Sequence, residues 1–218
     1  MSLADELTAS VAVFFKLGFN PAIQRKIVES EGFEKEPERR GPIQVAPGVA
    51  LGPSVTPIGK KGDTRLEYED DRYLLRIIGP VSELKEACKA VSDIYGKYHY
   101  EFSKIVRYCE FHCPLQPIEV EGAVEKIRTN IGMGVFTKLS SIFGVEMKPY
   151  TISFSHPDTA QNDIWTHVEF EPEVNSPRNR VLLRITKRTE TYEAMQDYLK
   201  NIEEKIGKIK ALFREAKS

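Results

Sequence analysis

Two imidazoles, two carboxylates and an indole gather in one short stretch of the sequence, around a predicted turn between two strands. The residues are His156, Asp158, Asp163, Trp165 and His167. Groups of these types at the end of a hairpin could bind a small ligand or a metal ion, or perform acid–base chemistry. No serine or cysteine nucleophile with an identifiable base accompanies them. The alternative interpretation is a polar loop tip with an exposed aromatic ring. We take these residues as the candidate ligand-binding site.

The segment around Cys109, His112 and Cys113 has a spacing similar to part of a zinc site. The stretch from Ile105 to Cys113 alternates as a β-strand does, so the two thiols fall on one face and the imidazole on the other. Ligands on opposite faces of a strand cannot converge on one ion. We therefore predict buried, reduced thiols and no metal site. An odd total of three cysteines without framework spacing also disfavours a disulfide-stapled secreted domain.

Two glycine-containing segments, Gly59–Gly62 and Gly132–Gly134, have a superficial likeness to phosphate-binding loops. Neither follows a strand and opens a helix, which is the arrangement that aims backbone N–H groups at a phosphate. A turn and a helix break are the better interpretations. The sequence therefore predicts no cofactor.

Charge and composition narrow the function classes. The chain has 31 Lys and Arg against 32 Asp and Glu, a net charge of −1, whereas proteins that coat DNA or RNA carry a clear basic excess. Nucleic acid is therefore not expected as a partner. The first apolar run, Val11 to Phe15, is too short for a signal-peptide core or a membrane span. We expect a cytoplasmic protein with no membrane attachment.

The elements that would position the candidate residues alternate between strands and helices. The predicted strands are Val11 to Leu17, Thr64 to Glu69, Tyr73 to Ile78, Ile105 to Cys113, Tyr150 to His156, Ile164 to Glu171 and Val181 to Lys187. The predicted helices are Ala22 to Ser30, a segment that starts after Pro80, Val120 to Phe143 and Thr191 to Ala216. Glycine and proline are frequent between residues 41 and 62, where we expect irregular edge hairpins.

Two blocks of sequence recur in the same order. Thr64–Glu69 matches Thr166–Glu171 at three of six positions, and Arg72–Ile77 matches Arg180–Ile185 at five of six. Each block pair is followed by a predicted helix. The alternative is coincidence between two amphipathic hairpins. We predict an α+β fold made by internal duplication, with residues 1–100 as the first strand-helix-strands-helix unit and residues 101–218 as the second. Together they would form one antiparallel sheet with long helices on one face.

The matching blocks also fix a strand register. A pairing of Glu67 with Arg76 aligns every apolar side chain of the first hairpin on one face, and a pairing of Glu169 with Arg184 does the same in the second. The apolar cross-strand pairs that follow are Leu66–Ile77, Tyr68–Leu75, Val168–Ile185 and Phe170–Leu183. The register predicts one exposed Glu–Arg ion pair in each half, on the face away from the helices.

The element order, which is strand, helix, several strands and long helix repeated twice, resembles the topology of the TATA-box-binding protein saddle. The resemblance covers element order and no sequence motif. The face that binds DNA in that family would here carry four glutamates, which repel phosphate. These are Glu67, Glu69, Glu169 and Glu171. The resemblance implies a saddle-like sheet, and we do not extend it to DNA binding.

The predicted terminal helix has apolar residues at alternating spacings of three and four. A helix of about 26 residues is ~39 Å long, whereas strands of six to eight residues span only ~20–27 Å. We expect the overhanging apolar residues to form a subunit interface, although packing on the chain's own sheet is the alternative. The interface residues would be Ile202, Ile206, Ile209 and Phe213.

Taken together, these features favour a non-catalytic binding or assembly module that forms a homo-oligomer. The alternative is an enzyme or small-ligand binder that uses the loop around Trp165. A nucleic-acid role on a saddle-like sheet is third. A deep pocket with convergent titratable groups would favour the second of these over the first.

Overall fold

The computed structural model describes residues 7–36, 43–46, 49–51, 55–114, 118–119, 152–155, 164–173, 175–176 and 178–215. Its strands are β1 (Thr8–Phe15), β2 (Ile43–Ala46), β3 (Val49–Leu51), β4 (Val55–Lys61), β5 (Thr64–Glu69), β6 (Leu74–Pro80), β7 (Val106–Pro114), β8 (Ile118–Glu119), β9 (Ile152–Ser155), β10 (Trp165–Pro172) and β11 (Arg180–Thr189). Its helices are α1 (Pro21–Ser30), α2 (Val81–Lys97), α3 (Phe102–Ile105), α4 (Tyr192–Leu199) and α5 (Ile202–Glu215).

Eight strands form one antiparallel sheet in the order β4-β5-β6-β1-β7-β11-β10-β9, and the short β8 pairs with the start of β11. β1 and β7 lie side by side at its centre. The strands β2 and β3 form a separate hairpin, in the segment where irregular hairpins were predicted. The chain is thus an α+β protein whose helices pack against a single large antiparallel sheet.

The predicted strand registers are confirmed in both hairpins. Glu67 lies opposite Arg76 in β5–β6, and Glu169 lies opposite Arg184 in β10–β11. Their apolar neighbours pair as predicted and point toward the helices, with Leu66 and Leu183 fully buried. Because side chains alternate along a strand, this register leaves a second face of the sheet, which we call the open face, for the polar side chains.

Local signals account for the bounds of α1. The Asn20 side chain caps the helix by accepting a hydrogen bond from the Ala22 N–H at 2.8 Å, and Pro21 occupies the first turn. At the other end Gly32 adopts a φ of +85°, and the N–H of Phe33 donates to the carbonyl of Val28. This is a Schellman arrangement, in which a residue with positive φ reverses the chain and satisfies the last carbonyls.

The hydrophobic core lies between the helices and the inner face of the sheet. The predicted face of α2 is buried there, and so are the alternate residues of the central strands. The core side chains of α2 are Val81, Leu84, Cys88, Val91, Ile94 and Tyr95. From the central strands they include Val11, Val13, Phe15, Cys109, Phe111 and Cys113. Cys88, Cys109 and Cys113 are all free and buried, as predicted for the last two.

The terminal helix differs from its prediction. The segment after Thr191 forms two helices, α4 and α5, with an interruption at Lys200 and Asn201, where one long helix was predicted. Ile202 and Ile206 are only 2% and 4% exposed because they pack into the core of the same chain. Ile209 packs against that core, and the side chain of Phe213 lies outside the described residues.

Other predictions fall wholly or partly outside the described residues. They include the helix from Val120 to Phe143 and the glycine segment Gly132–Gly134. None of the helices in the described part of the chain is long and apolar enough to cross a membrane.

Candidate ligand-binding groove

The structure describes only part of the loop site that the sequence predicted. His156, Asp158 and Asp163 lie outside the described residues. Trp165 and His167 follow one another on the open face of β10, with ring centroids 6.5 Å apart. The Nδ1 atom of His167 lies 2.6 Å from the Ser155 hydroxyl on β9, so the ring is held by its neighbour in the sheet.

A different feature of the open face has the size of a binding site. A groove of about 480 Å³ runs over the centre of the sheet, across β6, β1, β7 and the edge of β11. We call it the central groove. It is lined by Thr8, Ala9, Ser10, Ala12, Phe14, Arg72, Leu74, Arg76, Ile78, Glu110, His112, Pro114 and Thr186.

The sequence of β1 explains why the groove lies there. Its open-face positions carry the small side chains of Ser10 and Ala12, followed by the large ring of Phe14. The neighbouring strands carry longer side chains at the same level, since Ala12 lies between Arg76 of β6 and Glu110 of β7. Adjacent strands are about 4.8 Å apart, so the two charged walls rise roughly 10 Å apart over a floor of small residues.

The side chains of Arg76 and Glu110, which form the two walls, point away from the space above Ala12. Each of them contacts an oppositely charged side chain on the next strand outward. Arg76 places one guanidinium nitrogen 2.7 Å from Glu69 and another 3.8 Å from Glu67 on β5. On the other side, Arg188 of β11 donates from Nε to Glu110 at 2.9 Å. These ion pairs keep the space above Ala12 open.

The Glu–Arg pairs differ from the exposed pairs that the sequence predicted. Glu67 and Glu69 are only 5% and 2% exposed. Arg65 and Arg72 also contact them, at 3.3 and 3.5 Å, so three guanidiniums surround two carboxylates. The prediction paired Arg76 with the residue directly opposite it, but a long arginine side chain reaches both carboxylates on that side of β5 and comes closer to Glu69.

A similar arrangement is present in the second hairpin. Arg184 on β11 lies 3.4 Å from both Glu169 and Glu171 on β10. In both hairpins, therefore, the arginine that contacts two glutamates lies on the strand nearer the centre of the sheet, and the glutamates lie on the strand beyond it. Arg65 lies on β5 beside its glutamates. Glu110 lies on the central strand β7, and its charge is balanced by Arg188.

His112 is the titratable group in the groove with a shifted pKa. The ring is open to solvent on one side, yet the groove walls partly desolvate it, and this burial lowers the pKa of His112 below its usual value. The charges of Arg184 and Arg76 lower the pKa further, against a smaller opposing effect of Glu110. The imidazole is therefore neutral at pH 7, with Nδ1 3.3 Å from the Thr186 hydroxyl.

Aromatic rings and guanidiniums form a row across one end of the groove. Phe14 stacks on Tyr108 with centroids 4.3 Å apart, and Arg72 lies 5.4 Å from the Phe14 ring. Arg188 lies 4.5 Å from the Tyr108 ring and 5.3 Å from Trp165. Cation–π contacts of this kind hold both partners in place. Trp165 is thus connected through Arg188 to the wall of the groove.

Sequence reasoning missed the central groove. The first strand was predicted from Val11 to Leu17, but its pairing with β7 was not foreseen. That pairing brings Ser10 next to His112 and Ala12 next to Glu110. The available signal was the pair of small residues, Ser10 and Ala12, at alternate positions of β1, whose opposite face is apolar.

No metal centre is indicated by the geometry of the described residues. They contain no group of three or more His, Cys, Asp or Glu side chains that could hold an ion. His112 points to the open face, whereas Cys109 and Cys113 point into the core.

No protein-family model, curated protein or solved structure matches this chain.

Proposed function

We propose that this chain is a non-catalytic binding module that takes a small, elongated and largely apolar ligand in the central groove. The observation on which this proposal depends is the groove itself. Its volume of about 480 Å³ lies in the range of small-molecule sites, roughly 300–1,000 Å³. Six of its thirteen lining residues are apolar, and polar and charged groups converge on it beside them, a combination that small-molecule sites use.

The state of the charged groups favours binding over catalysis. Arg76 and Glu110 both contact oppositely charged partners on the flanks, which fixes their positions and lowers their reactivity. The other titratable groups that line the groove in the described residues are Arg72, which contacts Glu69, and His112, which contacts a threonine hydroxyl. A hydroxyl in that position orients the ring but does not activate it as the carboxylate of a catalytic triad does.

We further infer that the two halves of the chain arose by duplication, with the groove at their junction. The strand order supports this inference, because β6, β5 and β4 follow outward from β1 as β11, β10 and β9 follow outward from β7. The arginine that bridges two glutamates in each hairpin occupies the same place in both series. A site at the junction would then be formed by both units, 1–100 and 101–218.

A neutral dye tests whether the groove binds apolar ligands. Nile red carries no charge and should show saturable fluorescence with the purified chain. Ala12→Leu fills the floor of the groove without touching the core, and we expect it to weaken binding about tenfold or more. Ser153→Leu is the matched control, since Ser153 is exposed on the same face of the sheet but lies on β9, away from the groove.

Thermal unfolding followed by circular dichroism must show that both variants fold as the original chain does. Equal dye affinity of the original chain and the Ala12→Leu variant would contradict the proposed function. Equal weakening by both variants would also contradict it, because the dye would then bind elsewhere on the sheet.

A further inference from the structure

We propose that the natural ligand of the central groove is a monocarboxylate with an apolar tail, whose head group lies between Arg76 and His112. This inference rests on the proposed function and adds the chemical class of the ligand. It is carried by the arrangement of charge on the open face and by the hydrogen-bonding state of His112.

The arrangement of ion pairs makes the groove more positive than the flanks. Arg76 on β6 and Arg184 on β11 lie on the strands nearer the centre, while the carboxylates that they contact lie one strand farther out, on β5 and β10. Glu110 contributes the opposite sign, but the Nε of Arg188 lies 2.9 Å from it. In a partly desolvated groove, a bound charge interacts more strongly with the nearer arginines than with the more distant carboxylates.

The pKa of His112 responds to the same arginine charges. After burial, the largest influences on the pKa of His112 are the charges of Arg184 and Arg76, and both lower the pKa more than Glu110 raises it. The arginine charges that disfavour a proton on the imidazole favour a nearby anion, whereas the burial that lowers the same pKa does not.

His112 can also donate a hydrogen bond to that anion. If the Thr186 hydroxyl donates to Nδ1, the single proton of the neutral imidazole is on Nε2. Nε2 has no hydrogen-bond partner among the described residues, and it is therefore available to a carboxylate oxygen. The guanidinium of Arg76 would provide a second donor from the opposite wall.

The charge count favours a single negative charge on the ligand. Of the charged side chains that line the groove, Arg72 and Arg76 are positive and Glu110 is negative, which leaves an excess of one positive charge in the lining. A dianion such as a phosphate monoester would bring a second charge close to Glu110 without further compensation. The apolar walls suit the tail of the ligand, and they are provided by Phe14, Leu74, Ile78 and Pro114.

The test compares ligands with the same tail and different head groups. Octanoate, 1-octanol and octylamine are titrated at pH 8 against the full chain, with displacement of Nile red as the readout. We expect octanoate to bind about tenfold more tightly than 1-octanol, the effect of one hydrogen bond to a charged group. Octyl phosphate, a dianion at this pH, should bind no more tightly than octanoate.

Two variants assign the head-group contacts. Arg76→Gln should remove the preference for octanoate over 1-octanol. Because that change leaves two carboxylates with fewer partners and could unfold the chain, Glu110→Gln provides a second test. It leaves Arg188 uncompensated, so it should raise the affinity for octanoate about threefold and leave that for 1-octanol unchanged.

Each outcome decides between the two proposals. Equal binding of octanoate and 1-octanol would keep the groove as an apolar site and overturn the carboxylate assignment. A preference for octylamine or octyl phosphate would overturn it as well. Binding of none of the four ligands, together with no binding of Nile red, would overturn the proposed function itself.

Discussion

Arg76 connects the stability of the fold to the shape of the groove. Its guanidinium contacts Glu69 and Glu67, and both carboxylates are almost fully buried. Buried ion pairs contribute little net stability, because desolvation of the charges offsets most of their attraction. Loss of one partner is costly, however, since it leaves a buried charge uncompensated. We therefore infer that the main role of this cluster is to fix the position of the Arg76 side chain at the wall of the groove.

The three buried thiols should be unreactive while the protein is folded. Burial raises the pKa of Cys88 to about 12, and it also raises the pKa of Cys109. At pH 8 a thiol with a pKa of 12 is ionised in only about one molecule in ten thousand, and the thiolate is the nucleophile. Iodoacetamide should label none of the three in native protein and all three in guanidinium chloride, as counted by mass spectrometry. Rapid labelling of Cys109 or Cys113 in the native protein would show that the inner face of β7 is accessible.

Residue-level prediction worked where alternation along a strand decides the outcome. The pairing of Glu67 with Arg76, and the inward thiols of β7, follow from period two and were predicted. The shift of Arg76 toward Glu69 was not predicted, because the reach of a long side chain depends on its surroundings in three dimensions. The groove was missed for a related reason, since its walls come from strands that are distant in sequence.

At the scale of elements, α5 offers two neighbouring positions with opposite expected effects. Ile206 is buried in the core, so Ile206→Ala should lower the free energy of unfolding by about 2–5 kcal/mol. Gly207 is exposed within the same helix, and a Cβ there would meet no atom within 4 Å. Gly207→Ala should therefore raise the free energy of unfolding by about 0.5–1 kcal/mol. Urea denaturation of the two variants measures both effects.

Light scattering on the same variants addresses the predicted subunit interface. A change to monomer in Ile206→Ala with unchanged stability would show that this side chain contacts another subunit, against the packing seen within the chain. The expected homo-oligomer itself remains a prediction, and Ile202 and Ile206 already have partners inside one chain.

At the interruption between α4 and α5, the signals that start a helix overlap with an apolar spacing that predicts a continuous helix. Apolar spacing continues from Leu199 to Ile202 and so predicted a single helix. Asn201 nevertheless begins a new helix, because its carbonyl accepts the first hydrogen bond, from the Lys205 N–H at 3.2 Å. Asparagine is a favoured N-cap residue, and Glu203 and Glu204 follow in the first turn of α5. These start signals were present in the sequence, but the longer periodicity masked them.

At the scale of the whole molecule, the two predicted units share one sheet and one core. β1 belongs to the first unit and β7 to the second, and the two strands pair along most of their length. The sequence could define the units from their repeated blocks and pair the strands within each hairpin, but it held no signal for which strands pair between the units. Strand order depends on how the units dock, which is a property of the assembled chain.

Sharing a core predicts that the halves unfold together. Trp165, the only tryptophan of the chain, reports on the second unit, whereas Leu66 is buried in the first. Leu66→Ala should lower the free energy of unfolding by about 2–5 kcal/mol and shift the Trp165 fluorescence transition as much as the far-ultraviolet circular dichroism transition. A fluorescence transition that stays in place while the other moves would mean that the units unfold independently.

The central position of β1 also has a consequence for how the chain reaches its native state. Val13 in this first strand pairs with Leu75 on one side and Cys109 on the other, so both neighbours come from much later in the sequence. During synthesis β1 leaves the ribosome long before either partner strand, and its apolar face stays unpaired until both have been made. Non-local strand pairing of this kind is associated with folding over milliseconds to seconds. Nascent chains halted before β7 would expose a central strand as an edge, which is the surface that chaperones protect from aggregation.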